Sequence, residues 1–323
     1  MLVNILLFVV GLVMLIKGGD WFVDGASGIA RRFHLPELLI GATVVSIGTT
    51  LPEVMVSAQG AMAGSGGMAY GNAIGSIICN TSLIAALTIA IKPSKVERKT
   101  LVIPVLFFFV AAAFYVGIAY TTGMFSRAVG FVLLVGFVVY ITYTLLEMKK
   151  APATVEVHAE EEKEENGSMA KEVIFLVLGA ILIALGARLL VDNGTAIAET
   201  LGVPDTVIAL TFVALGTSLP ELVTAITSLM KGHGALSLGN IIGANLFNLV
   251  LVSGVSVVIS PFPVPAESMI AGMPASLVMD IPVMLAVMLI LTVPALVREK
   301  LSRVQGILLL CIYAAFCIAQ FVM

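Results

Sequence analysis

The sequence predicts an all-α membrane protein: ten transmembrane helices arranged as two inverted repeats of five. Three observations lead there. Of 323 residues, 59% are hydrophobic and only 11% charged, in apolar runs of about 20 residues, the length that crosses a bilayer as a helix. The first half of the chain is written again in the second half, and an odd number of spans per half turns the second copy over. Lys and Arg collect in alternate loops, as successive crossings with basic cytoplasmic loops predict. A transmembrane barrel would alternate polar and apolar residues. Phe131–Tyr140 and Ile281–Leu291 are instead continuously apolar. The net charge of −3 gives no nucleic-acid footprint.

The apolar runs place spans near 3–28, 38–62, 70–91, 101–120, 128–148, 172–198, 206–230, 236–259, 278–297 and 304–322. The first 16 residues are apolar, lack a basic leader and run into Lys17 and Asp20 without a small-residue cleavage site. They read as a retained first span rather than a cleaved signal. A hydrophilic stretch at 149–171, containing Glu160-Glu161-Glu162-Lys163-Glu164-Glu165, separates a first five-helix unit (1–148) from a second (172–323). It lacks the Gly turn and spaced ligands of a calcium-binding EF-hand loop, so it reads as a solvated linker. Cys79, Cys311 and Cys317 fall in apolar spans at no metal-binding spacing, and read as packing thiols.

Ten spans with the N-terminus outside put the loops after spans 1, 3, 5, 7 and 9 in the cytoplasm. Those loops carry Arg31, Arg32, Lys92, Lys95, Arg98, Lys99, Lys149, Lys150, Lys163, Lys171, Lys231, Arg298, Lys300 and Arg303, against Arg127 alone in the outer ones. Both termini are then extracellular and the acidic linker cytoplasmic. An error of one span would scramble this pattern.

The repeat is ungapped from Gly11 to Asn80. It pairs Asp24 with Asp192, Pro36 with Pro204, Thr43 with Thr211, Gly48 with Gly216, Glu53 with Glu221, Asn72 with Asn240, Gly75 with Gly243 and Asn80 with Asn248. Shared apolar composition explains matched Leu and Val but not matched Pro, Asp, Glu and Asn. This is the inverted-repeat plan of secondary transporters, with a binding site near the midplane at discontinuous helices.

The candidate site is Gly48-Thr49-Thr50-Leu51-Pro52-Glu53 and its copy Gly216-Thr217-Ser218-Leu219-Pro220-Glu221. Proline removes an N–H and frees carbonyls from the helical ladder, and in lipid no water replaces the lost partner. A carboxylate at mid-span is costly and usually marks a functional pathway. Two related by inverted symmetry face each other, and their repulsion is relieved by a cation. Thr49, Thr50, Thr217 and Ser218 offer hydroxyls. The third spans add Asn72, Ser76 and Asn80, and Asn240, Asn245 and Asn248. Oxygen ligands without a His or Cys cluster suit calcium or sodium rather than zinc or copper. The flanking Gly71, Gly75, Gly239 and Gly243 let helices approach closely. Lys17 can reach Asp20, and Arg188 can reach Asp192, as helical ion pairs.

At these residues the chain resembles the cation/calcium antiporter superfamily, and within it the sodium/calcium exchangers. Gly41–Glu53 and Val213–Glu221 resemble the two repeat cores, and Gly71–Asn80 and Gly239–Asn248 the adjoining spans. Nearly the whole chain is covered, as in the compact prokaryotic exchangers that lack large cytoplasmic calcium-binding domains. The resemblance implies a secondary active antiporter, exchanging sodium for calcium across the cell membrane by alternating access, electrogenic at three Na⁺ to one Ca²⁺, and working as a monomer. No cofactor is implied; calcium and sodium are the transported substrates, and the bilayer is the other partner. In the implied site Glu53 and Glu221 bridge the ion positions. Carbonyls near Ser46, Thr49, Ala214 and Thr217 join them, with side chains of Thr50, Ser218, Ser76 and Asn80. Spans 1 and 6 are expected to slide past a core of spans 2, 3, 7 and 8. Asn248 stands where a microbial relative carries Asp, leaving two central carboxylates, and Ala244 stands where Ser is common.

Proton-coupled calcium exchangers carry a Glu shortly after the Gly-Asn of the third span. Here Gly71-Asn72 and Gly239-Asn240 are followed by apolar and small residues, which favours sodium; potassium-dependent exchange stays open. A cation channel takes its filter from several subunits around a pore, whereas one chain carries both broken helices here. No Ser-His or His-cluster pairing at membrane depth supports an enzyme.

Overall fold

The computed structural model describes residues 1–150, 168–201, 216–266 and 268–322. Among them are nine helices long and apolar enough to cross a membrane, and a shorter apolar helix, Leu219–Met230. The described helices fall where the hydropathy places spans. α1 is Leu2–Arg32; α2 is Glu37–Ile40; α3 is Ser46–Met62; α4 is Gly66–Cys79; α5 is Ala86–Ile91; α6 is Arg98–Thr121; α7 is Arg127–Lys150. In the second half, α8 is Met169–Thr200; α9 is Leu219–Met230; α10 is Gly234–Phe247; α11 is Ser253–Ile259; α12 is Ile281–Arg298; α13 is Arg303–Val322. The expected linker lies largely outside the described residues, as do 206–215 of the seventh expected span.

Glycines show the inverted symmetry directly. A Cβ on Gly11 would stand 2.8 Å from the Gly186 carbonyl oxygen, and one on Gly18 3.0 Å from that of Gly179. Further along, Gly25 meets the Glu172 carbonyl. As α1 ascends in number, α8 descends, so the two helices pack antiparallel. Gly11 and Gly18 are the repeat partners of Gly179 and Gly186, so each contact is the image of the other under a two-fold axis. Small residues at the crossing permit this backbone approach. With 31 and 32 residues, these helices are about 46 Å long, longer than the roughly 30 Å hydrocarbon layer, which they cross obliquely.

The spans of α3, α4–α5 and α10–α11 are the most buried. Their packing is interrupted by wide π-helical turns at Gly41–Val45, Asn80–Ala85 and Asn248–Val252. Ser46 and Ser253 close two of these turns. Each donates both its N–H and its hydroxyl to the carbonyl five residues back, on Gly41 and Asn248. Such turns occur often at functional sites.

The expectation of two matched breaks needs correcting. α3 runs unbroken through Pro52, and its irregularity lies upstream at Gly41–Val45. In the second copy a turn at Thr217-Ser218 precedes α9, which carries Pro220 in its first turn. There a missing N–H leaves no helical bond unmade.

The loops sort by charge. At one end Arg32 grips Glu172 at 2.8 and 3.0 Å, Lys231 meets Asp24 at 2.8 Å and His233 faces Glu37 at 2.6 Å. Val96 and Leu301 donate N–H bonds to Glu299 and Ser94 there. At the other end Met124–Phe125 pairs with Phe262–Pro263, and Tyr70 and Tyr120 donate to the carbonyls of Ser276 and Leu277. The first end is the basic face anticipated from the loops. Asp20 and Asp24 are partnered by Lys231, not by Lys17; Lys17 points outward from α1 while Lys231 sits at the end of the packed helix α9. Arg188 and Asp192 do pair, at 3.5 Å. Cys79 is buried, but Cys311 is exposed on the outer side of a peripheral helix, so it is not a packing thiol.

Candidate functional site

The apolar core falls into two clusters. One, nearer the basic face, includes Phe22, Leu38, Ile84, Ile89, Leu291 and Leu301. The other includes Tyr70, Ile74, Phe108, Tyr115, Phe125 and Phe262. Between them lies a belt of fully buried polar groups: Ser46, Thr50, Glu53, Asn80, Thr81, Glu221, Asn240, Asn245 and Asn248. A belt of this kind in a membrane protein is expensive unless it does something.

Glu53 and Glu221 are each 0% exposed and lie within Coulombic reach of each other. None of their four carboxylate oxygens has a hydrogen-bond partner among the described residues. Buried polar atoms are nearly always satisfied, and unpaired buried carboxylates are the costliest exceptions. The Thr49 hydroxyl lies beside the Glu221 carboxylate but donates to Asn240 Oδ1 at 3.1 Å. Thr50 Oγ1 is buried and unpartnered among the described residues. Ser46 donates to the Asn240 carbonyl at 3.0 Å as well as to Gly41, which ties α3 to α10. Gly239 and Gly243 make this approach possible: a Cβ on Gly243 would collide with Ser46 Oγ and lie 2.7 Å from the Ala42 carbonyl oxygen, and one on Gly239 would collide with the Leu38 carbonyl.

Asn80 and Asn248 open the wide turns of their spans. Both are fully buried, and all four amide atoms lack partners among the described residues. Ser76 is buried one turn before Asn80. Ser218 stands just before α9, without a side-chain capping bond, and faces Cys79, the neighbour of Asn80; Thr217 beside it is half-buried. Ala214 lies outside the described residues. The structure therefore gathers Ser46, Thr49, Glu53, Ser218 and Glu221 through direct neighbours. It buries Thr50, Ser76, Asn80 and Asn248 in the same belt.

Three roles were not foreseen from sequence. Asn240 organises the junction by accepting from both Ser46 and Thr49. Asn72, its repeat partner, instead donates to Ser57 Oγ at 2.7 Å and to the Glu53 carbonyl at 3.2 Å. Asn245 donates to Thr81 Oγ1 at 2.7 Å and to Met288 Sδ at 3.2 Å. The residue types advertised oxygen and nitrogen; which of them are consumed by the scaffold needed the packing.

A family model described as sodium/calcium exchanger protein matches residues 3–146 and 171–322. The sodium/calcium exchanger MaX1 of Methanosarcina acetivorans is 34% identical over 353 residues, covering 99% of this chain and 99% of that one. The membrane protein MJ0091 of Methanocaldococcus jannaschii is 36% identical over 313 residues, covering 95% of this chain and 94% of that one. A solved structure of the sodium-calcium exchanger NCX_Mj, soaked with sodium and strontium ions, superposes with a TM-score of 0.80 at 34% identity, covering 97% of each chain. Two buried carboxylates between antiparallel repeats, in a chain matched from end to end, identify a multi-pass membrane antiporter that belongs to the sodium/calcium exchanger family and has its compact form.

Proposed function

We propose that this chain exchanges sodium for calcium at one central site, through alternating access. The observation that carries the reading is the pair Glu53 and Glu221: fully buried, within Coulombic reach of each other, and with no hydrogen bond to any carboxylate oxygen among the described residues. Cations are the partners this arrangement lacks. In this reading the side chains of Thr50, Ser76, Asn80, Ser218 and Asn248 and the carbonyls of Ser46, Thr49 and Thr217 supply oxygens suited to hard ions beside the carboxylates, and Ala214, outside the described residues, is assigned the same role by the resemblance alone. One Ca²⁺ neutralises the two charges, and three Na⁺ leave the site at +1, so exchange is electrogenic.

The energetics suffice. A tenfold sodium gradient is worth about 1.4 kcal/mol per ion, or about 4 kcal/mol for three ions. The net charge adds about 2.3 kcal/mol per 100 mV. Together these sustain a calcium gradient of about four decades at about 1.4 kcal/mol each. The moving part is the antiparallel pair α1 and α8, which lies outside the buried core of α3, α4, α9 and α10. Units 1–148 and 172–323 act as the two halves of a monomer. The basic face is cytoplasmic, with the 149–171 linker on it and both termini outside.

The test is ⁴⁵Ca²⁺ uptake into proteoliposomes loaded with sodium. Uptake should follow the outward sodium gradient, respond to membrane potential and vanish in Glu53→Gln and Glu221→Gln. Uptake that ignores sodium and tracks a proton gradient would overturn the coupling. Normal exchange by either Gln variant would remove the central site. An absolute need for potassium would change the stoichiometry.

A further inference from the structure

The second repeat buries three hydroxyls that have no partner among the described residues. Thr224 and Ser228 follow Glu221 on the same face of α9, at i+3 and i+7, and Ser237 lies in the first turn of α10; each is at most 3% exposed. Thr224 Oγ1, Ser228 Oγ and Ser237 Oγ have no partner among the described residues. At about 1.5 Å per residue, Ser228 lies about 10 Å from Glu221 along α9, one turn short of Lys231. The Ser228 carbonyl accepts the His233 N–H at 2.7 Å, and Ser237 N–H donates to the His233 carbonyl at 3.2 Å, so both serines flank one tight hairpin. Ser237 also lines a small cavity at the basic face with Thr88, Lys92, Ser94, Leu229 and Gly234.

The first repeat has nothing equivalent. The repeat partners of Thr224, Ser228 and Ser237 are Val56, Gly60 and Ala69. The buried hydroxyl that α3 does carry beyond Glu53, on Ser57, is taken by Asn72 at 2.7 Å. A satisfied hydroxyl is scaffold; an unsatisfied one, buried at membrane depth and in line with a carboxylate, marks a pathway.

We propose that Thr224, Ser228 and Ser237 line the route by which the divalent cation passes between Glu221 and the basic face, their oxygens replacing hydration waters in turn. This rests on the central-site reading above. The route to the opposite face has no such hydroxyl column on α3 and α4, so the two half-cycles differ chemically although the repeats are related by symmetry.

The experiment uses the full chain with Cys79, Cys311 and Cys317 replaced by alanine, reconstituted in liposomes. Calcium–calcium self-exchange is the readout, since it needs neither sodium nor protons as the coupling ion. A membrane-impermeant cationic methanethiosulfonate is applied to each face in turn, with Lys300→Cys reporting which is the basic one. Ser228→Cys and Ser237→Cys should lose exchange by about tenfold or more when modified from the basic face, while Val56→Cys should be untouched from that face. Thr224→Val/Ser228→Ala, which needs no reagent, should slow exchange about tenfold while equilibrium calcium binding stays within about twofold. If the two thiols stay unmodified from the basic face in protein that still exchanges calcium, or if the double variant exchanges at the unaltered rate, the route is wrong. Failure of the central site reads differently: Glu221→Gln would then bind calcium normally.

Discussion

If α1 slides past the core during transport, a covalent tie between α1 and α9 must stop it. Gly19 and Thr227 offer the position. A Cβ on Gly19 would lie 3.7 Å from Thr227 Cβ, inside the roughly 3.5–4.5 Å range of disulfides. Val223 Cγ1 stands 2.7 Å from the same point and must rotate aside, which a half-buried side chain can do. Displacing α1 along its axis by one helical turn, about 5.4 Å, would open the Cβ separation to about 6.5 Å. No disulfide spans that distance, so the bond and the slide exclude each other. In a background without Cys79, Cys311 and Cys317, oxidised Gly19→Cys/Thr227→Cys should lose ⁴⁵Ca²⁺ exchange in proportion to the cross-linked fraction. A reductant should restore it. The unoxidised double variant controls for packing damage. Undiminished exchange in fully cross-linked protein would show that α1 and α9 move together, and the sliding mechanism would have to be abandoned.

Two further perturbations read the same framework. Gly243→Ala puts a methyl 2.7 Å from Ala42 Cα, against an ordinary contact of about 3.5 Å, so α3 and α10 must part by roughly 0.8 Å. That stretches the bonds from Ser46 and Thr49 to Asn240 beyond useful range, at about 1 kcal/mol each, and overpacking adds about 1–3 kcal/mol. A clear fall in the melting temperature of the detergent-purified protein is expected, with lost exchange; an unchanged melt would refute the close approach. Lys231→Ala frees Asp20 and Asp24 from α9 at a cost of about 1 kcal/mol or less. It should alter exchange rate more than calcium affinity, and a pure affinity change measured by equilibrium ⁴⁵Ca²⁺ binding would contradict that.

The frame was legible in the sequence because each of its determinants is one-dimensional. Hydropathy placed the spans, the Glu53/Glu221 and Gly11/Gly179 pairings placed the axis, and Arg31, Lys92, Lys231 and Lys300 placed one face. The candidate site residues were legible as types for the same reason: a carboxylate repeated at mid-span is conspicuous anywhere. What stayed hidden depends on side-chain direction. The turn at Gly41–Val45 inserts one extra residue, which rotates everything after it by about 100°, and nothing in Gly-Ala-Thr-Val-Val signals that. Helical spacing offered Lys17 to Asp20 because i, i+3 contacts can be counted. It could not reveal Lys231, which is 211 residues away in the chain. The hydroxyls of Thr224 and Ser228 were visible as letters, but without burial and partners they looked like any Thr or Ser in a membrane helix.

The departures from symmetry specify a second conformation. In a transporter built from inverted repeats, the opposite-facing state is approached by letting each half adopt the packing of the other. Asn240 now accepts from Thr49, with its Nδ2 unpartnered among the described residues, while Asn72 donates from Nδ2 to Ser57 and to the Glu53 carbonyl. Exchanging roles makes Thr217 donate to Asn72 and turns Asn240 Nδ2 toward the Glu221 carbonyl. The partner of Ser57, however, is Ala225, so the exchanged state lacks one hydrogen bond that the present state has. A buried bond of this kind is worth about 1 kcal/mol, which biases the two states by about fivefold. Ala225→Ser supplies the absent hydroxyl, and Ser57→Ala removes the existing one. Both should therefore shift the population toward the exchanged state, each by about fivefold, despite one adding and the other deleting a hydroxyl. The measurement is the apparent calcium affinity from each face in calcium–calcium exchange, which weights the two states unequally. Shifts in opposite directions would mean that Ser57 merely stabilises the fold, and that the two halves do not trade places.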